Sequence, residues 1–190
     1  IVQSDSNVLR IIYAGTLYPF QKIEYLINAC INAIEDGLTE FEVYFIGTEM
    51  NPGEHHRLQL LVNKHKKNFI TLDRMTKSKL DTFLSKADLL YLTSSENAKG
   101  WYPVKLFDYY IHEKPILLCP SDRDVIEEFI VKTNSGYIAE DTSECYDLIT
   151  TLMKQKQNNE KLILNRNKSE GMKYSREFQT KVLAELINDN

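Results

Sequence analysis

Leu9-Arg10-Ile11-Ile12-Tyr13-Ala14-Gly15 is the stretch on which the fold turns. A short run of β-branched and aromatic residues stops at a glycine, the pattern of a strand entering a turn. From about Lys22 to Asp36, the residues Ile23, Leu26, Ile27, Cys30, Ile31 and Ile34 fall at helical spacing, and Gly37 supplies a C-terminal stop. Strand, glycine turn and amphipathic helix in that order form the repeating unit of a parallel α/β sheet.

The unit recurs outward from there. Glu42 to Ile46 reads as a second strand, ending at Gly47, and residues 55–67 as a helix with Leu58, Leu61 and Val62 inward. Phe69 to Leu72 is a third strand, Ser78 to Lys86 a helix, and Asp88 to Thr93 a fourth strand. A polar loop over 94–102 leads to a helix over 103–112, with Pro103 at its first position and Val104, Phe107 and Ile111 on its inward face. Pro115 to Cys119, Asp124 to Lys132 and Gly136 to Ala139 complete a fifth strand, a helix and a sixth strand, and everything from Ser143 reads as helical. The expectation is a Rossmann-like three-layer α/β domain with a six-stranded parallel sheet over 9–140. A lead-in covers 1–8, and helices over 141–190 pack on the domain. The polar stretch from Lys154 to Lys173 suits exposed helices. The chain opens Ile1-Val2-Gln3-Ser4 without a methionine, which reads as an internal fragment.

Composition narrows the partners. With 43% hydrophobic and 26% charged residues, the chain can bury a core. A net charge of −4 and a pI near 5.6 remove any overall attraction for nucleic acid or an anionic membrane. An anionic ligand must then be held by a few local groups. Three cysteines, odd in number and far apart, match a reducing compartment and a cytoplasmic location. The longest apolar runs are strand-sized, so no membrane span is expected.

Ligands of such sheets bind beyond the carboxyl ends of the strands. Gly15-Thr16-Leu17-Tyr18-Pro19 is not a Gly-x-Gly-x-x-Gly turn, and the chain has no P-loop. No paired acids follow the first strand, and His55, His56, His65 and His112 lack metal-ligand spacing. The densest constellation runs from Thr93 through Ser94 and Ser95 to Gly100-Trp101-Tyr102-Pro103-Val104-Lys105-Leu106-Phe107-Asp108-Tyr109-Tyr110. A helix that starts at Pro103 offers free N–H groups to an anion. Lys105 in its first turn opposes the helix dipole unless an anion binds there; a solvated surface lysine is the equal alternative. Asp108, at the border of the inward face, can accept two hydrogen bonds from the vicinal hydroxyls of a ribose, against the plainer reading of a solvated helix acid.

These residues resemble a known family. Lys105-Leu106-Phe107-Asp108-Tyr109-Tyr110 with Glu113-Lys114-Pro115-Ile116-Leu117 is similar to the Lys-Leu-Phe-Glu-Tyr-Leu-Ala-x-Gly-Lys-Pro-Ile-Leu segment of many GT-B glycosyltransferases. Tyr13 to Pro19, Phe45-Ile46-Gly47 and Ala87 to Ser95 resemble other strand ends of the same nucleotide-sugar-binding domain. The resemblance implies a ribose-binding role for Asp108, diphosphate contacts for Lys22, Ser94, Ser95 and Lys105 with the Gly15-Thr16 turn, and base reading by the backbone of Asp73 and Arg74. Trp101 and Tyr102 then line the sugar pocket or the domain cleft, or pack as a hydrophobic staple.

Two positions depart from the pattern. Retaining members often carry Glu-x7-Glu, and counting back from Asp108 gives Gly100 where the sugar-facing glutamate would stand, with Glu96 or backbone of the 97–101 loop as substitutes. The basic residue often found after the first glycine is Thr16 here. The expected function is that of the donor-binding domain of a glycosyltransferase, which holds a nucleotide-diphosphate sugar, the donor substrate, for transfer of its sugar, with no cofactor and no metal. The acceptor, a glycan or lipid-linked glycan, would be met through an N-terminal domain absent from this chain. A sugar-nucleotide epimerase or hydrolase and a non-catalytic binding module are the competing readings.

Overall fold

β1 (Leu9–Ala14) is buried at every residue and lies inside the sheet. It pairs in parallel with β2 (Phe41–Ile46) on one side and β4 (Leu89–Leu92) on the other. β3 (Phe69–Leu72) continues the sheet beyond β2, and β5 (Ile116–Leu118) and β6 (Gly136–Ile138) continue it beyond β4. The six-stranded order is β3-β2-β1-β4-β5-β6, parallel throughout. The structure, a computed structural model, describes residues 7–94, 99–160, 162 and 164–188.

Strand residues alternate between two faces, and each face has its own apolar layer. Leu9, Ile11 and Tyr13 join Leu26 and Cys30 of α1 (Glu24–Glu35), Leu58 of α2 (Pro52–Val62), and Ile149 and Leu152 of α6 (Thr142–Gln157). Ile12 and Ala14 meet Leu84 of α3 (Lys77–Leu84), Leu106 and Tyr109 of α4 (Val104–Ile111), and Phe129 of α5 (Val125–Thr133). α6 is capped by the Asp141 carboxylate, which accepts the N–H groups of Ser143 and Glu144. Its buried Cys145, Ile149, Leu152 and Met153 share the core of β1, so the chain does not leave that core at residue 140. The order of connections changes direction between β1 and β4, the position at which open α/β sheets take ligands beyond the carboxyl ends of their strands.

Three details differ from the sequence expectations. Val104 and Ile111 are each 74% exposed, and α4 turns Leu106 and Tyr109 inward instead. Both sets have helical spacing, and the choice is made by the sheet: the Tyr109 hydroxyl accepts the buried Ala14 N–H of β1 at 2.7 Å, which a Val104 face cannot do. Pro103 precedes α4 with an extended backbone and caps it, rather than opening it. The region after Ser143 is not continuously helical: α6 stops at Gln157, and α7 (Lys168–Met172) and α8 (Arg176–Asn188) follow later. Between them, Arg166 donates to the carbonyls of Tyr110, at 2.7 Å, and Lys114, and lies 4.9 Å from the Tyr110 ring centroid. The Tyr110 carbonyl belongs to the last turn of α4, where it accepts the Glu113 N–H at 3.2 Å, and the Arg166 guanidinium adds a second donor to that helix end.

Candidate functional site

The loops after β1, β2 and β3 are knit into one surface at the carboxyl edge. The Gly15 N–H donates to the Ile46 carbonyl at 2.8 Å, and the Gly47 N–H to the Leu72 carbonyl at 2.9 Å. Asn51 Nδ2 donates to the Leu17 carbonyl at 3.0 Å, and the Arg74 N–H to Glu49 Oε1 at 2.7 Å. Gly15 and Gly47 have φ of +117° and +79°, conformations that side chains resist. The result is a floor of bare backbone to which a ligand can come close.

Lys105 reaches across this floor. Its Nζ sits 3.6 Å from the centroid of the Tyr13 ring, and a Cβ added to Gly15 would lie 3.3 Å from it. Tyr13 is itself fully buried; its hydroxyl is 2.8 Å from the Thr16 carbonyl and 3.1 Å from Gln21 Oε1, which also accepts the Tyr18 N–H. The loop between β1 and α1 is thus folded around Tyr13, and the bond from Ala14 to Tyr109 docks α4 so that Lys105 overlies the ring. The ring face attracts an ammonium, but withdrawal from water dominates and pulls the Lys105 pKa down to about 7. An enclosed lysine with no acid paired to it among the described residues, above bare glycine backbone, is arranged to meet an anion.

The other sequence candidates fall at different distances from this centre. Thr16 is half-buried and contributes its carbonyl to Tyr13. Lys22 is half-buried two residues ahead of α1. Asp73 and Arg74 are exposed, with Arg74 Cα 3.8 Å from where a Gly47 Cβ would stand. Ser94 is buried just beyond the end of β4, while Ser95 and Glu96, like 97–98, lie outside the described residues. Gly100, at φ +71°, donates its N–H to the Asp124 carboxylate and has open space where a side chain would go. Trp101 is 48% exposed.

Tyr102 packs in an aromatic cluster, its ring 5.8 Å from those of both Phe107 and Tyr174. Asp108 is exposed on α4, one turn beyond Lys105. With Val104, Ile111, Met172 and Tyr174 it lines a largely apolar groove of about 830 Å³ between α4 and α7.

The structure therefore joins Gly15, Thr16 and Lys105 directly, and Arg74 to them through Gly47. Tyr13, Glu49, Asn51 and Tyr109 are site-building residues that the sequence did not mark. The signal for Tyr13 and Tyr109 was a hydroxyl on an inward-facing aromatic, which must find a partner; Glu49 and Asn51, single polar residues in a turn, carried none. Among the described residues, no group of three or more His, Cys, Asp or Glu side chains is placed to hold a metal ion, and no helix is long and apolar enough to cross a membrane.

No protein-family model matches the chain, and no curated protein matches it in sequence. Solved structures do match in fold. The Anabaena protein Alr3699/HepE in complex with UDP-glucose aligns with a TM-score of 0.71 at 13% identity, covering 97% of this chain and 50% of that one. The C-terminal domain of LpcC, a glycosyl transferase group 1 family protein from Francisella tularensis, aligns with a TM-score of 0.62 at 14% identity over 81% of this chain and 80% of that one. WaaG, a glycosyltransferase involved in lipopolysaccharide biosynthesis, gives a TM-score of 0.62 at 13% identity over 80% of this chain and 40% of that one. The chain spans half the length of the HepE chain it matches. Parallel strand order, glycine strand ends and these alignments agree: the chain has the Rossmann-like α/β fold of a GT-B domain, as in the C-terminal domain of LpcC.

Proposed function

We propose that this chain binds the donor of a glycosyltransferase, a nucleotide-diphosphate sugar, for transfer to an acceptor held by a further domain. The observation that carries the reading is the Lys105 ammonium, enclosed against Tyr13 above the Gly15 backbone. A diphosphate at that point would restore the lysine's charge and be stabilised by it. Lys22 and the N–H groups at the start of α4 would share the charge that builds on the leaving diphosphate, and Asp108 would hold the ribose hydroxyls. The complex of HepE with UDP-glucose supports a sugar nucleotide as the ligand class. An acceptor glycan or lipid-linked glycan, and work in the cytoplasm without a metal, complete the proposal.

Calorimetric titration with UDP, GDP, ADP and CMP, on the wild type and on Lys105→Met, tests it. One nucleotide binding, and binding at least tenfold weaker in Lys105→Met, supports the donor site; equal affinity in the variant refutes it. Gly100, with no carboxylate of its own, favours a second reading in which the domain binds donor without turnover. Sugar transfer or donor hydrolysis by the full-length protein separates the two.

A further inference from the structure

Two large aromatics stand in water on the connection from β1 to α1, the same loop that supplies Gly15. Tyr18 is 46% and Phe20 40% exposed, and their rings are stacked, with centroids 5.4 Å apart and planes within 3° of parallel. Leu17 and Ile23, which flank this turn, are fully buried in the layer of α1 and α2. The turn is held from below. Asn51 Nδ2 donates to the Leu17 carbonyl, the Tyr18 N–H to Gln21 Oε1, and the Gln21 N–H to the Tyr18 carbonyl, each at 3.0 Å. Arg57 Nη2 donates to the Gln21 carbonyl at 3.0 Å, and Pro19 restricts the backbone between the two rings. Gln21 is itself buried, with Oε1 3.1 Å from the Tyr13 hydroxyl.

The stacked pair is therefore tied to the residue that lies under Lys105, but it stands on the other side of Gly15. Lys105 and Asp108 come from α4, in the layer of one sheet face, while the turn of Tyr18 and Phe20 is rooted in the layer of the opposite face. A transfer reaction brings a second carbohydrate to the leaving diphosphate. With α4 committed to the nucleotide, the α1 side of Gly15 is open to it. A pyranose has a face of C–H groups, weakly positive, which suits the negative face of an aromatic ring. Rings fixed before binding lose little freedom when they are covered. Exposed rings also stack nucleobases, but a net charge of −4 gives a nucleic-acid strand no attraction.

We propose that Tyr18 and Phe20 form a carbohydrate platform that takes a sugar ring of the acceptor. The inference rests on the donor-site reading, and adds to it a contact between this chain and the second substrate. It is tested by saturation-transfer NMR with cellotriose, maltotriose and chitotriose, and by calorimetry with UDP, GDP, ADP and CMP. Both are run on the wild type, Tyr18→Phe, the double variant Tyr18→Ala/Phe20→Ala, and Lys105→Met. The two side chains are exposed, so thermal unfolding of the double variant should match the wild type.

At least one trisaccharide is expected to take up saturation at its ring C–H protons, and to bind about fivefold or more weakly in the double variant. Tyr18→Phe keeps both rings and should stay within about twofold of wild type. If no trisaccharide binds the wild type, or if the double variant binds as well as the wild type, the inference is overturned. Nucleotide binding that falls in the double variant as far as in Lys105→Met also overturns it, because the rings then belong to the donor. If Lys105→Met loses the nucleotide and no trisaccharide binds, the donor site stands and only this inference falls. If the double variant loses the trisaccharide while Lys105→Met leaves nucleotide binding unchanged, the carbohydrate platform stands and the donor reading falls.

Discussion

Lys105 is the residue whose behaviour should depend most on pH. Its folded pKa of about 7 lies below the 10.5 of a free lysine. Between those values the unfolded chain holds a proton that the folded chain lacks, so this group's contribution to stability rises with pH from about 7 to about 10.5. Below pH 7 the full penalty of burying the ammonium is present. A bound diphosphate favours the charged form, so binding above pH 7 should take up a proton and weaken as the pH rises. Calorimetry at pH 8 in two buffers of different ionisation enthalpy should show uptake approaching one proton, lost in Lys105→Met. Asp108 supplies a second residue-scale test. Asp108→Asn removes a charged acceptor for two hydroxyls and should reduce nucleotide affinity by about 1–3 kcal/mol, leaving the denaturation midpoint unchanged because the side chain is exposed. Unchanged affinity would return Asp108 to the role of a solvated helix acid.

At the scale of single elements, α4 is set by two contacts that its own sequence does not announce. The bond between the Tyr109 hydroxyl and the Ala14 N–H fixes which face of the helix meets β1. Tyr109→Phe strands a buried amide, so urea unfolding should show a loss of about 1–3 kcal/mol, and Lys105 should lose its place over Tyr13, weakening nucleotide binding as well. A loss of stability with no change in binding would separate α4 docking from the site. Where the Tyr110 ring of α4 meets α7, a Cβ on Gly171 would lie 2.0 Å from the Tyr110 hydroxyl. Gly171→Ala must displace the Tyr110 ring or α7, and a destabilisation of about 1–3 kcal/mol is expected in the same assay. If the variant is as stable as wild type, α7 is not packed this closely in solution.

For the molecule as a whole, the uneven feature is its C-terminal end. α8 buries no residue, and Phe178, Leu183 and Ile187 on it are exposed together with Val104, Ile111 and Met172. An element without buried contacts opens locally at little expense. Hydrogen exchange should therefore give α8 amides an opening free energy of about 0–2 kcal/mol, while β1 exchanges only on global unfolding. Equal protection of the two would show that α8 is covered in solution. The central strands and α6 belong to one core, so unfolding of β1 through α6 should be a single cooperative transition.

The alternation of strand and helix, the glycine at each early strand end and the absence of a P-loop are local properties. They were legible in the sequence because hydrophobic period and turn chemistry are set by neighbours along the chain. That covers the six strands, their parallel arrangement and the edge at which Gly15, Ser94 and Lys105 would be found. The inward face of α4, the strap made by Arg166, the Tyr13 ring beneath Lys105 and the hold of Glu49 on Arg74 were not legible. Each joins residues 25 or more positions apart. Two helical stripes of equal spacing cannot be told apart until a sheet is placed against one of them. A buried amide or an enclosed ammonium arises only when packing removes water. The sequence alone determined the scaffold; tertiary structure decided which polar groups lost solvent and which partners they found.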